Sequence, residues 1–148
     1  MKRLTHLVAA ATFLLLPPPA VAGGGEPLEP VDADAMIGAC WDETHELRAG
    51  TTVEAREGIL LSALCLEEHI LDQFEVLFPP PVLTREEAAK HLEAIRTSYG
   101  SLFWKLYNEH RGCGFCGTQH YTSHVAAHAR LMEQILRAAV DQRNRYKL

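Results

Sequence analysis

Two Thr-x-x-Glu steps, Thr51 to Glu54 and Thr84 to Glu87, each stand at the head of a long stretch with helical apolar spacing. In such a capping box the threonine hydroxyl accepts from the backbone N–H three residues on. The glutamate in turn accepts from the backbone N–H of the threonine, so two otherwise orphaned donors are satisfied and a helix start is fixed. Pro79, Pro80 and Pro81 lie between the two stretches. Proline has no N–H for the next helical turn, so the first helix must stop there. The pattern predicts a helix from Thr51 to Phe78. Its apolar residues recur in two sets: Leu60, Leu64, Leu71, Phe74 and Phe78, and Ile59, Leu66, Ile70 and Leu77. So wide an apolar face predicts a central position in the fold.

From Thr84, Ala88, Leu92, Ile95, Tyr99, Leu102 and Leu106 recur at steps of four and three, which is a packing seam. Gly100 interrupts it, either weakening the helix or admitting a close neighbour, and Gly112 ends it. Phe103, Trp104 and Tyr107 read as core residues of this helix, with an exposed anchor as the alternative. An earlier helix is expected from about Asp34 to Leu47. A last one is expected from near Thr122 to Arg145, with Val125, Ala129, Met132, Leu136 and Ala139 as its inner stripe. No stretch alternates as a strand does. Short connections between long helices favour antiparallel neighbours, so the expected fold is an all-α, up-and-down bundle of about four helices forming one domain over residues 34–148.

The first residues carry a different signal. Lys2 and Arg3 precede an apolar run from Leu7 to Leu16, and Ala20 and Ala22 follow as a small-x-small pair. This is the pattern of a secretory signal peptide cleaved after Ala22, and the run is too short for a membrane-spanning helix. Residues 23–33, rich in Gly, Pro and acid, read as a flexible leader. The expected protein is therefore exported, periplasmic or secreted, with no membrane attachment after cleavage. Of its 14 Lys and Arg, two lie in the signal peptide, leaving 12 against 19 Asp and Glu, a net charge of −7. That balance argues against nucleic acid, which is bound by neutralising phosphates, and it suits a basic partner.

Export places Cys40, Cys65, Cys113 and Cys116 in an oxidising compartment, where an even cysteine count in a small domain reads first as disulfides. Three pairings are open. A Cys40–Cys65 bond would staple the first helical hairpin, closing about 25 residues and stabilising the fold by about 3 kcal/mol in the chain-entropy model. A Cys113–Cys116 bond would close a very short loop and contribute less. C-x-x-C is also the pattern of thiol–disulfide oxidoreductases, in which a helix N-terminus activates the first thiolate. Here the last helix is expected several residues after Cys116, and there is no strand framework to carry the motif. A c-type haem needs histidine after the second cysteine, and Gly117 stands there.

The same segment offers a metal. His110, Cys113, Cys116 and His120 supply two sulfur and two nitrogen donors, a set that zinc accepts tetrahedrally and that would also suit copper. His120, His124 and His128 then rise along one side of the last helix at four-residue steps. In the opposing reading His128, which shares a face with Leu131 and Ile135, is a packed or rim residue. Asp42-x-x-His45 is half of a di-iron bundle motif without its second half. Glu67, Glu68 and His69 read as a solvated face of the second helix. No nucleophile is paired with a base, so no catalytic residue is assigned.

Cys40, Cys65 followed by Asp72, then a helix bearing Trp104 and Tyr107 before Cys113, and then Gly117-Thr118, together resemble the exported LprI-type lysozyme inhibitor family over about residues 36–140. The sequence differs from that family in having Asn108 where an arginine is usual, and Cys116 much nearer to Cys113 than the usual partner cysteine. The resemblance implies a disulfide-stapled helical fold without cofactor. It also implies a non-enzymatic function, binding a protein partner such as lysozyme or a related basic wall hydrolase. The alternatives are a periplasmic zinc- or copper-binding protein using the Cys/His cluster at 110–128, and a thiol redox protein.

Overall fold

The computed structural model describes the backbone of residues 29–111 and 117–145, and the side chains of residues 29–100 and 122–145. They form α1 (Ala33–Asp42), α2 (His45–Ala49), α3 (Thr52–Leu77), α4 (Arg85–Arg111) and α5 (Gly117–Arg145), with no strand among the described residues. The all-α bundle is as expected. The expected signal peptide, residues 1–22, lies outside the described residues.

Both capping boxes form. Glu54 accepts from the Thr51 backbone N–H at 2.7 Å, and Glu87 from that of Thr84 at 3.0 Å. In each box these bonds, with a further one from the threonine hydroxyl, hold the glutamate carboxyl below its ordinary value of 4.5. Arg85, the first residue of α4, would be misplaced against the positive end of a helix dipole. Three carboxylates of α3 receive it instead: Glu68 at 2.6 Å, Asp72 at 2.9 Å and Glu75 at 3.2 Å. The start of α4 is thereby tied to the end of α3.

The most extensive helix contact is between α3 and α5. Leu66 and Ile70 of α3 and Met132 and Leu136 of α5 are wholly buried in it. These two helices run in the same direction, since Glu67 meets His128 and Gln73 meets Arg143 further along. Alongside them α1 runs the opposite way. Asp34 pairs with Arg137, and the Trp41 indole N–H donates to Glu133 at 2.7 Å. Cys40 and Cys65 are bonded, locking α1 onto α3 with Cα atoms 5.7 Å apart. On the other side α4 adds Ala88 and Leu92 to the core.

Four details depart from the sequence reading. The first helix is broken in two at Glu43–Thr44, because Thr44 turns inward. Its buried hydroxyl lies 2.7 Å from the Ser62 hydroxyl and accepts from Arg48 Nε at 3.2 Å. The end of the expected leader is docked, with the Val31 backbone N–H donating to the Asn144 side chain and its carbonyl accepting from it. Leu60 and Leu64 of α3, assigned to its apolar face, are exposed. The inner face is built from Gly58, Ser62, Ala63, Leu66, Ile70, Leu71 and Gln73. Finally, α5 begins at Gly117, five residues earlier than expected, so the helix follows Cys116 directly.

Gly58 is where α2 folds back onto α3. A Cβ there would sit 2.9 Å from Arg48 Cγ and 3.0 Å from Leu47 Cβ, closer than side chains tolerate. Gly58→Ala should therefore destabilise the protein by about 1–2 kcal/mol in urea denaturation, overpacking outweighing the gain in helix propensity. Replacing both Cys40 and Cys65 by Ser should cost about 3 kcal/mol in the same assay.

Candidate functional site

At the crossing of α3, α4 and α5, helical periodicity brings three charged or titratable side chains together. Glu67 and Arg96 face one another from α3 and α4, and His128 comes up from α5. His128 Nε2 lies 3.1 Å from Glu67 Oε1, and Arg96 reaches the other carboxylate oxygen at 3.7 Å. The His128 side chain is only 7 % exposed and that of Glu67 16 %. His128 Nδ1 is buried without a hydrogen-bond partner. The carboxylate is an acceptor, so it selects the imidazole tautomer with the proton on Nε2. The sequence reading of Glu67 as solvated is thus corrected. One apolar turn of α4, with Ala88 and Leu92, covers that side of α3, and the carboxylate there is met from two directions, by His128 and Arg96. Glu68 keeps its exposed position, and His69 is half-buried.

One turn before His128 on α5, His124 stacks on Tyr99 of α4, with ring centroids 6.1 Å apart and planes at 12°. His124 is the neighbour of Gly100, but a Cβ at Gly100 would lie 3.6 Å from the ring in ordinary contact, so the approach does not require the glycine. The two histidines are turned to different partners: His124 to an aromatic ring and His128 to a carboxylate. His110, Cys113, Cys116 and His120, the rest of the expected metal cluster, lie outside the described side chains, as do Phe103, Trp104 and Tyr107. Asp42 and His45 are both exposed, on either side of the break between α1 and α2.

Among the described residues, three potential metal donors converge at the disulfide. Cys40 Sγ, Cys65 Sγ and a ring nitrogen of His69 lie within 4.8 Å of one another. Sequence reasoning placed His69 on a solvated face. The signal for its position was the four-residue step from Cys65, which stacks the two side chains on α3.

The outer side of α3 carries the second feature. Val53, Leu60, Leu61 and Leu64 are 56 %, 42 %, 43 % and 40 % exposed. Steps of seven and four put Val53, Leu60 and Leu64 on one line, and the exposed carboxylates of Glu57 and Glu68 lie along the same side. Among the described residues no helix is long and apolar enough to cross a membrane.

Comparison of the chain with protein-family models, with curated proteins and with solved structures finds no match in any of the three.

The Glu67–His128 pair has a measurable signature. Glu67→Leu leaves the His128 Nε2 buried without its partner, His128→Leu leaves Glu67 with Arg96 alone, and each should cost about 1–3 kcal/mol. The double variant should cost less than the sum of the two. A double-mutant cycle in urea should give a coupling of at least about 0.5 kcal/mol.

Proposed function

We propose that this protein is an exported, non-enzymatic binding protein whose partner is a basic protein of the lysozyme or related wall-hydrolase class. The observation that carries the reading is the outer face of α3. Four large apolar side chains stand in water on one rigid helix, with the exposed Glu57 between Val53 and Leu60. Exposed apolar surface with charge beside it is the composition of a docking site. Glu57 favours as occupant a protein whose apolar contact patch is surrounded by Lys and Arg, whereas Glu68 is already taken by Arg85. The acidic balance of the whole chain adds long-range attraction for the same class. The resemblance of the cysteine, tryptophan and tyrosine spacings to the LprI-type inhibitors supports the same assignment. The face is held rigidly, because the helix presenting it is fixed on its opposite side by the α5 seam and the disulfide. Binding therefore needs little ordering of the backbone.

The test is inhibition of, and binding to, a basic lysozyme, with an acidic protein of similar size as control. Dose-dependent inhibition at micromolar protein, weakening as salt rises, is expected. Leu60→Ser with Leu64→Ser should reduce affinity at least about tenfold, equivalent to about 1.4 kcal/mol. The helical circular dichroism should be unchanged, since both side chains are already exposed. Full activity of the enzyme and no binding at micromolar protein would overturn the assignment.

A further inference from the structure

We propose that the Cys40–Cys65 pair is also a metal site in waiting: when reduced, its two thiolates and His69 bind one zinc ion, and the metal-bound and disulfide forms exclude each other. Three observations on two helices carry this. The donor atoms Cys40 Sγ, Cys65 Sγ and a ring nitrogen of His69 already lie within 4.8 Å of one another. A tetrahedral zinc ion with ordinary Zn–S and Zn–N bonds needs its sulfurs about 3.8 Å apart and each sulfur about 3.6 Å from the nitrogen. The two sulfurs have to part, and they are the atoms that reduction frees. Second, the backbone beneath the donors is held independently of the bond between them. Ile37 of α1 packs in the same buried cluster as Leu66 and Ile70 of α3. The Ser62 hydroxyl also joins the Cys40 carbonyl at 3.1 Å. The cysteines therefore stay opposed once the disulfide opens.

The third observation is access. Cys40 is wholly buried, whereas Cys65 and His69 are half-exposed, so an ion enters from the His69 side. There, a water molecule completes the coordination. Two cysteines, one histidine and an open fourth position form an accepted zinc set, and thiolate donors favour zinc over the hard cations magnesium and calcium.

The chemistry balances with a dithiol reductant. It delivers two electrons and two protons to the Cys40–Cys65 bond and itself becomes a disulfide. Zinc then displaces the two thiol protons as the Zn–S bonds form. Oxidation in the reverse direction expels the ion. In an oxidising compartment the disulfide form prevails, and the zinc form belongs to reducing conditions.

The experiment uses the full chain with Cys113→Ser and Cys116→Ser, so that only Cys40 and Cys65 supply thiolate. The protein is reduced anaerobically with a phosphine, its helicity is checked by circular dichroism, and Zn²⁺ is titrated against a chromophoric chelator. One equivalent is expected to bind, to protect both cysteines from alkylation, and to be released on oxidation. His69→Ala should weaken binding at least tenfold while helicity is kept, and the oxidised protein should bind none at this site. Equal affinity in His69→Ala, or no zinc retained by the reduced protein, would overturn the proposal. So would a reduced protein that loses its helicity and does not regain it with zinc.

Discussion

Leu66 and Ile70 on one side, Met132 and Leu136 on the other, are wholly withdrawn from water, and every other element is placed by reference to that seam. Burial of each such side chain contributes about 1.5–3 kcal/mol. The parallel course of α3 and α5 leaves a groove on each side of the seam. Into one groove α1 is laid, held at Asp34 and Trp41 by α5 and at Cys40 by α3. On the other side lies the first half of α4, through Ala88 and Leu92. A chain of this size has little core to spare, and the disulfide adds a covalent tie to a helix of only ten residues.

The polar groups drawn into this interior are arranged as fixed pairs. Ser62 is wholly buried on α3, where it bonds the Thr44 hydroxyl, the Cys40 carbonyl and the Gly58 carbonyl. Gln73 is buried one helical face away and accepts from Arg143 at 2.9 Å. Glu67 takes His128. Each of these side chains would cost free energy if its partner moved by a turn. The apolar seam alone accepts several registers of α5 against α3, since leucine and isoleucine stripes repeat. The two polar pairs that join these helices, Gln73–Arg143 and Glu67–His128, accept one.

That division explains which parts of the fold were readable. The capping boxes at Thr51 and Thr84 are local, so four residues suffice to place a helix start, and both form. The end of α3 at the proline run is local in the same sense. The inner face of α3 is not. With apolar residues at 59, 60, 61, 63, 64, 66, 70 and 71, helical periodicity leaves its orientation open. It is decided by Ser62, Gly58 and Gln73, whose partners lie on other helices. The break at Thr44 and the docking of Val31 have the same origin, each depending on a side chain more than a dozen residues away. The His128–Glu67 pair joins residues 61 apart, and neither spacing motif nor composition signals it. The pairing of Cys40 with Cys65, one of three open at first, is settled by the packing of α1 on α3.

One line along α3 runs through Val53, Leu60, Leu64 and Leu71. Leu71 is buried under α4, while the other three stand in water. The same helical face is thus core at one end and surface at the other. Glu67, paired with Arg96, lies between the two ends, one turn after Leu64 and one before Leu71. A face needed only for folding would gain by being covered along its length, at about 25 cal/mol per Å² of apolar surface removed from water. Leaving leucines uncovered on the most firmly anchored helix costs solubility and gains nothing for the monomer. A partner that completes the face recovers that free energy as affinity. Glu57 stands among the uncovered residues, so in the proposed complex the face that attracts an apolar surface would reject an acidic one. Binding strength and selectivity would then arise from a single helix whose position the core has already fixed.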